Sequence, residues 1–177
     1  VTAVGDAGDK ELLTRIDLSY VKYSGLEDYW TYHSQDVGRA GTVHVNDYNG
    51  NLILIHDTLS TGGSRVPMSL THVYNSNNRK TNLGYGNGFS LSYYQTLKKV
   101  NIAGTEYYQH TDGDGTIHYF YYDSKEKEWK DESGLELTMT LHTDASEQLV
   151  NHDKEENPLK FRNGYLSKVC DTNGNTQ

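Results

Sequence analysis

Residues 135–142 read Leu135-Glu136-Leu137-Thr138-Met139-Thr140-Leu141-His142. Every second side chain is apolar, so an extended chain would place the apolar groups on one face and the polar groups on the other. This period of two is typical of a half-buried β-strand. The face that we expect to be buried consists of Leu135, Leu137, Met139 and Leu141. The face that we expect to be more exposed consists of Glu136, Thr138 and Thr140.

The same alternation recurs along much of the chain. Residues 89–94 alternate in this way, and residues 66–74 place Met68, Leu70 and Tyr74 on one face. Residues 53–55 are consecutively apolar, which indicates a strand covered on both faces. Residues 10–23 fit either a helix or a strand. We favour a strand there because Thr, Ile, Tyr and Val dominate the segment.

Turn signals separate these segments. Asp112-Gly113-Asp114-Gly115 lies between two strand-like runs, and Asn49-Gly50 and Asn163-Gly164 do the same elsewhere. Asp-Gly and Asn-Gly supply the positive φ that tight hairpins need. We therefore expect an all-β fold of antiparallel hairpins and meanders with little helix, arranged as a sandwich-like or open β-shell.

Composition narrows the class of protein. The chain has 177 residues and a formal charge of −8, with 34% hydrophobic residues and 15 tyrosines. This length suits one domain of ordinary size, or one piece of a longer polypeptide. The aromatic content argues against disorder. The acidic balance argues against nucleic-acid binding, which needs Lys and Arg stripes. No apolar run is long enough to predict a membrane-spanning helix.

The chain begins at Val1 and has one cysteine, Cys170. A single cysteine excludes an internal disulfide and leaves the compartment open. We interpret Cys170 as a small apolar residue on a strand. The start without methionine indicates a processed N-terminus or a segment of a longer polypeptide, so the missing leader says nothing about secretion.

Eight histidines invite a metal or catalytic hypothesis. None of them has the spacing of a zinc motif, and we interpret them as surface or strand-packing residues. The Asp112–Gly115 stretch resembles the start of a calcium loop, but loop position 12 is Asp123 and the flanking segments are strand-like. A hairpin tip explains it better. We therefore expect no catalytic residue, no metal, no cofactor and no enzymatic activity.

Two aromatic runs could have a binding role. Residues 27–33 and 119–122 place aromatic rings on both faces of a predicted strand. One face could be an exposed platform on which sugar rings stack, or a surface for docking a protein. Alternatively, the tyrosines fill a thin core and their hydroxyls reach water at its rim. The candidate ligand-binding residues are Trp30, Tyr32, Tyr119 and Tyr121.

Several motifs follow one another in a recognisable order. A strand-like run at residues 50–56 leads into 66–70, and His72-Val73-Tyr74-Asn75-Ser76 precedes a glycine-rich turn and Phe89-Ser90-Leu91. A hairpin motif covers residues 114–120. Residues 161–175 then read Phe-Arg-Asn-Gly-Tyr-Leu-Ser-Lys-Val-Cys-Asp-Thr-Asn-Gly-Asn. This order resembles the segment that precedes the repeats of RHS/YD-repeat proteins, with Phe89 where that family usually has Trp.

The resemblance covers roughly residues 41–177, which we expect to form an RHS-like β domain ending at the first repeat-like unit. Residues 1–40 are similar to a segment that links an upstream module in wall-associated proteins of Gram-positive bacteria, and we expect them to pack on the body. The family implies surface display or secretion, and β-shells that enclose a C-terminal toxin or effector. Its repeats have been linked to carbohydrate binding. No catalytic residue of the family matches a position in this chain.

We therefore expect a non-catalytic structural module that starts the β-shell of a bacterial surface or secreted repeat protein, extracellular or associated with the cell wall. The alternative is a carbohydrate-binding module that uses exposed Tyr and Trp. The expected partners are the remainder of its own repeat chain and a cell-surface glycan, with no nucleic acid and no membrane span.

Overall fold

The computed structural model describes residues 3–4, 10–11, 25–62, 68–131, 137–141, 147–151 and 159–170. Within these ranges the regular structure consists of antiparallel β-strands and two single turns of 3-10 helix, Gly38–Ala40 and Ser76–Asn78. The prediction of an all-β fold is confirmed. No helix in this part of the chain has the length and apolarity to cross a membrane.

A two-stranded and a five-stranded sheet come first in the chain. β1 (Ala3–Val4) pairs with β2 (Lys10–Glu11), which places a strand at the start of the 10–23 segment; residues 12–23 lie outside the described residues. The five-stranded sheet pairs its strands in chain order. They are β3 (Tyr32–Asp36), β4 (Thr42–Asn46), β5 (Leu52–Thr61), β6 (Met68–Asn75) and β7 (Phe89–Leu91).

The remaining eight strands form one sheet that rolls into a barrel. They are β8 (Thr96–Ile102), β9 (Thr105–Thr111), β10 (Ile117–Asp123), β11 (Glu128–Asp131), β12 (Leu137–Leu141), β13 (Glu147–Asn151), β14 (Leu159–Arg162) and β15 (Tyr165–Val169). Each strand pairs with its neighbour in the chain. One residue pair, Thr96 with Tyr165, joins the first strand to the last. The backbone amide of Leu97 also donates to Gly164 O at 3.0 Å across this seam.

Side chains fill the barrel. Its fully buried centre contains Leu97, Phe120, Met139 and Phe161, with Tyr108 beside them. Each of these residues comes from a different strand, namely β8, β9, β10, β12 or β14, and points to the inner face of the rolled sheet. In the other sheet, Ile53 is fully buried and its neighbours Leu54 and Ile55 are half-buried.

Strand β12 follows the predicted alternation only in its middle. Met139 is 1% exposed and Leu137 is partly buried against the core, but Leu141 is 48% exposed. The prediction that Leu141 is buried is therefore wrong. β11 pairs with β12 as far as Met139, so Leu141 extends past that strand and lacks its cover. Leu135 and Glu136 lie outside the described residues.

Turn residues act as predicted at the hairpins. Asn49-Gly50 joins β4 to β5, and Asn163-Gly164 joins β14 to β15. β3 and β4 pair with each other across residues 37–41. The predicted boundary between the N-terminal segment (1–40) and the β domain (41–177) lies in this connection. The N-terminal segment therefore contributes an edge strand, β3, to the five-stranded sheet, which we call the first sheet.

Candidate functional site

The tip of the β9–β10 hairpin is the starting point of the site. Thr111 pairs with Ile117, and the Asp112 amide donates to Thr116 O at 3.0 Å, so residues 112–116 form the predicted hairpin tip. Gly115 has a φ of 90°, a conformation that a side chain disfavours. Asp112 Oδ1 accepts from the amides of Asp114 and Thr116, at 3.1 and 2.9 Å. Both of these turn bonds are to Oδ1, and the other oxygen, Oδ2, faces away from the two amides.

The N-terminal segment docks onto this tip. The Gly25 amide donates to Thr116 Oγ1 at 2.6 Å, and the Leu26 amide donates to Asp114 Oδ2 at 2.7 Å. A Cβ at residue 25 would overlap the Asp114 carboxylate, so the approach requires glycine. The Tyr32 hydroxyl donates to Gly25 O at 2.9 Å and accepts from the Glu27 amide at 3.0 Å. Five residues thus fix the position of Glu27.

The five-stranded sheet meets the same tip. Asn75 Nδ2 donates to Asp114 O at 3.0 Å, and Ser90 Oγ donates to Gly113 O at 3.0 Å. Asn75 is 2% exposed and ends β6. The tip therefore connects the N-terminal segment, the first sheet and the barrel.

A cluster of three side chains, Glu27, Asp112 and His118, lies beneath the docked segment. His118 Nε2 is 3.5 Å from Glu27 Oε1 and 3.4 Å from Asp112 Oδ2. One potential ligand atom from each residue lies within 4.8 Å of the other two. Glu27 and His118 are buried and Asp112 is half-buried. We call these three residues the Glu27–Asp112–His118 cluster.

Burial disfavours the charged forms of the three side chains of the cluster. Burial raises the pKa of Glu27, and the nearby His118 partly opposes that shift. Burial raises the pKa of Asp112, and burial together with the Asp112 charge raises the pKa of Asp114 to about 7. Burial lowers the pKa of His118. Within the described residues, both ion pairs that Glu27 and Asp112 make are with His118.

A second histidine lies behind the first. The ring of His110 stacks on that of His118 with centroids 5.8 Å apart, and His110 Nε2 is 3.1 Å from Gln95 Oε1. Burial lowers the pKa of His110 to about 3. The Nδ1 atoms of both rings are buried and have no hydrogen-bond partner among the described residues. The polar contacts of His118 are therefore concentrated at Nε2.

The four aromatic candidates fall on different parts of the molecule. Trp30 stacks on Tyr48 with centroids 5.1 Å apart, beside the first sheet, and Tyr32 is half-buried with its hydroxyl engaged in docking. Tyr119 and Tyr121 lie on β10 of the barrel, on the opposite face of the strand from the core residue Phe120. Tyr121 is 37% exposed. Their role in ligand binding stays a prediction.

An open depression adjoins one of these candidates. It has a volume of about 760 Å³ and is lined by Gly104, Thr105, Glu106, Tyr107, Tyr121, Tyr122 and Trp129. Tyr122 is 50% exposed and its ring centroid is 5.4 Å from that of Trp129. Sequence reasoning identified Tyr121 here but not Trp129 or Tyr107.

Sequence reasoning also missed the Glu27–Asp112–His118 cluster. It interpreted the histidines as dispersed residues, and it identified Asp112 only as a turn residue. Glu27 reaches its partners through docking contacts with residues about 90 positions away, such as Leu26 to Asp114. The only local signal was the Asp-Gly-Asp-Gly stretch followed by His118, which no spacing rule connects to Glu27.

Comparisons with known proteins give a match to part of the chain. No curated protein and no solved structure matches it. One family model matches a region that runs from β4 to the middle of β10, and this region includes Asp112 and His118 but not Glu27. Residues 42–120 are similar to the family described as a domain of unknown function, DUF6531.

Proposed function

We propose that the chain is a non-catalytic structural module that begins the β-shell of a bacterial surface or secreted YD-repeat protein. The observation that carries the proposal is the rolled antiparallel sheet, whose eight strands follow chain order and are joined end to end by one residue pair. A meander of this kind can extend by adding further hairpins. A structural role accounts for this topology without a ligand-binding pocket.

The packed interior of the barrel supports a structural role. Phe120 and Phe161 are fully buried, and Leu97 and Met139 are 1% exposed, so side chains occupy the space in which a barrel could hold a ligand. Burying such apolar groups stabilises the fold by about 1.5–3 kcal/mol each. The interior therefore contributes stability.

The final hairpin supports the resemblance to repeat proteins. β14 and β15 cover the described part of the repeat-like unit, up to Cys170, and its Phe161 is part of the barrel core. Among the described residues, the seam consists of the Thr96–Tyr165 pair and the bonds Leu97 N to Gly164 O and Leu166 N to Gln95 O. The outer edge of β15 at residues 167–169 can therefore accept another strand. In the proposed protein, that strand comes from the following repeat.

The docked N-terminal segment supports a role as a joint. Gly25 and Leu26 bond to the hairpin tip, Glu27 contacts His118 on β10, and β3 belongs to the five-stranded sheet. A segment that is fixed in this way would hold an upstream module at a defined orientation. The proposed partners are thus other parts of the same polypeptide.

Fractionation of the organism that makes the protein tests this proposal. An antiserum against the 177-residue chain should detect it in the culture medium or the cell-wall fraction, within a polypeptide whose tryptic peptides include YD repeats. Assays on polysaccharides and peptides with the purified chain should show no turnover. Detection only in the cytoplasm, or turnover abolished by one substitution, would contradict the proposal.

Carbohydrate binding is the second candidate function. The depression beside β10 favours it because Tyr121, Tyr122 and Trp129 offer ring faces for stacking and Glu106 offers a hydrogen-bond acceptor. A glycan array should then give hits that Tyr121→Ala abolishes. Tyr85→Ala is the matched control, since Tyr85 is 41% exposed and lies outside the depression. Equal loss in both variants, or no hits, would contradict this function.

A further inference from the structure

We propose that Glu27, Asp112 and His118 bind one divalent cation of the Zn²⁺ type, which fastens the N-terminal segment to the hairpin tip of the barrel. This inference goes beyond the proposed function and does not rest on it. The sequence-based expectation of no metal assumed that the histidines were dispersed. In the fold, Glu27 and Asp112 lie beside His118, so three potential ligands converge although only one of them is a histidine.

The distances within the cluster suit a metal better than a hydrogen bond. His118 Nε2 lies 3.5 Å from Glu27 Oε1 and 3.4 Å from Asp112 Oδ2, both longer than the usual 2.7–3.2 Å of an N–H···O bond. Zinc binds His nitrogen and carboxylate oxygen at about 2.0–2.2 Å, and the edges of such a tetrahedron are roughly 3.4 Å long. The two distances to His118 Nε2 are therefore close to those between adjacent zinc ligands, and the candidate ligand atoms of all three residues lie within 4.8 Å of one another.

The carboxyl groups around His118 are suitable partners for a cation. Glu27 and Asp112 each bring a carboxylate oxygen to His118 Nε2, at 3.5 and 3.4 Å, and Asp114 follows Asp112 in the same turn. Buried charges are costly unless they are paired or coordinate a metal. A divalent cation would compensate two of these carboxylates at once.

Each ligand is already positioned for binding. Two backbone amides hold Asp112 Oδ1, which leaves Oδ2 directed to His118. His118 is 3% exposed, and its Nδ1 atom has no hydrogen-bond partner among the described residues, so Nε2 carries its polar contacts. Glu27 is fixed by the Tyr32 hydroxyl bound to its amide. The Asp114 carboxylate is engaged by Leu26 and Thr116, so the fourth ligand of a tetrahedral site would be a water molecule.

The mixture of donors selects the class of metal. Imidazole nitrogen with carboxylate oxygen suits Zn²⁺ and related transition metals, whereas Ca²⁺ and Mg²⁺ prefer sites made wholly of oxygen. The Asp-Gly-Asp-Gly turn is thus a hairpin that supplies one ligand, and the cation is coordinated below it.

The direct test is titration of the chelator-treated 177-residue protein with Zn²⁺ in a calorimeter, and with Co²⁺ as a spectroscopic probe. We expect one tight site. Glu27→Gln and His118→Gln should each weaken Zn²⁺ binding by at least about 10- to 100-fold. His72→Gln is the matched control: His72 lies on the first sheet and bonds Thr58, so its loss should leave the tight site unchanged.

A measurement on the wild-type protein covers the case in which a variant fails to fold. Co²⁺ bound at the cluster should shift and broaden the NMR signals of the His118 ring, and those of His110 stacked on it, before the signals of the surface His33. Perturbation of surface histidines alone would overturn the proposal. So would the absence of binding at millimolar Zn²⁺, or binding that Glu27→Gln and His118→Gln leave intact.

Discussion

The backbone amide of Gly25 donates a 2.6 Å hydrogen bond to the hydroxyl of Thr116, although 91 residues separate them. The same hydroxyl donates to Asp114 Oδ1 at 2.7 Å. The N-terminal segment and the β9–β10 hairpin are therefore connected through one side chain. This contact places Glu27 above the barrel and defines the candidate site.

Gly25→Ala should destabilise the protein by about 1–3 kcal/mol, because its Cβ overlaps the Asp114 carboxylate and forces the segment away from the tip. Urea unfolding measures the change. Gly62→Ala is the control: a Cβ there meets nothing within 4 Å, so the free energy of unfolding should change by less than about 0.5 kcal/mol. Equal effects in the two variants would show that the close approach is unimportant.

Met139→Ala should cost about 2–5 kcal/mol of the free energy of unfolding, because Met139 is 1% exposed in the barrel core and its removal leaves a cavity. Leu141→Ala on the same strand should cost less than about 0.5 kcal/mol, since Leu141 is 48% exposed. Chemical unfolding of the two variants checks both values. A larger loss from Leu141→Ala would contradict the described end of β12.

His110 should remain neutral in the folded protein well below pH 6. Its pKa is lowered from 6.5 to about 3 by burial, so between these values the unfolded chain binds a proton that the folded chain does not. This group's contribution to stability is present above pH 6.5 and is lost as the pH falls toward 3, by at most about 1.4 kcal/mol per pH unit. An NMR titration of the His110 ring with a midpoint near 6.5 would refute this.

His33 should titrate in the opposite direction from His110. Its hydrogen bond to Asp47, followed by the charge of that carboxylate, raises the pKa of His33 above 6.5. In the same NMR experiment, Asp47→Asn should lower this pKa toward its ordinary value. Asp57→Asn, which removes an exposed carboxylate that bonds Thr71, should leave it unchanged. An unaltered His33 titration in Asp47→Asn would contradict the assignment.

The sequence predicts the local parts of this fold well. Hairpins such as Asp112–Gly115 follow from residues adjacent in the chain, because alternation and turn chemistry act over a few positions. Leu141 shows the limit of this reasoning. Its burial depends on where a neighbouring strand ends, and the alternation of its own segment carries no information about that.

The candidate site depends on longer-range contacts and could not be predicted. His118 lies two residues before Phe120 and on the same buried face of β10. Nothing near His118 in the chain indicates Glu27 as its partner. Closure of the barrel between Thr96 and Tyr165 has the same character. Such contacts follow from the curvature of the whole sheet.

Electron cryo-microscopy of the natural polypeptide that contains this chain, isolated from the organism, tests the central claim most directly. The account predicts that the free part of the outer edge of β15 pairs with a strand of the following repeat, so that the sheet from β8 to β15 continues into a larger shell. The decisive contrary result is a barrel that stands alone, with no strand added to β15 and no repeat packed against it.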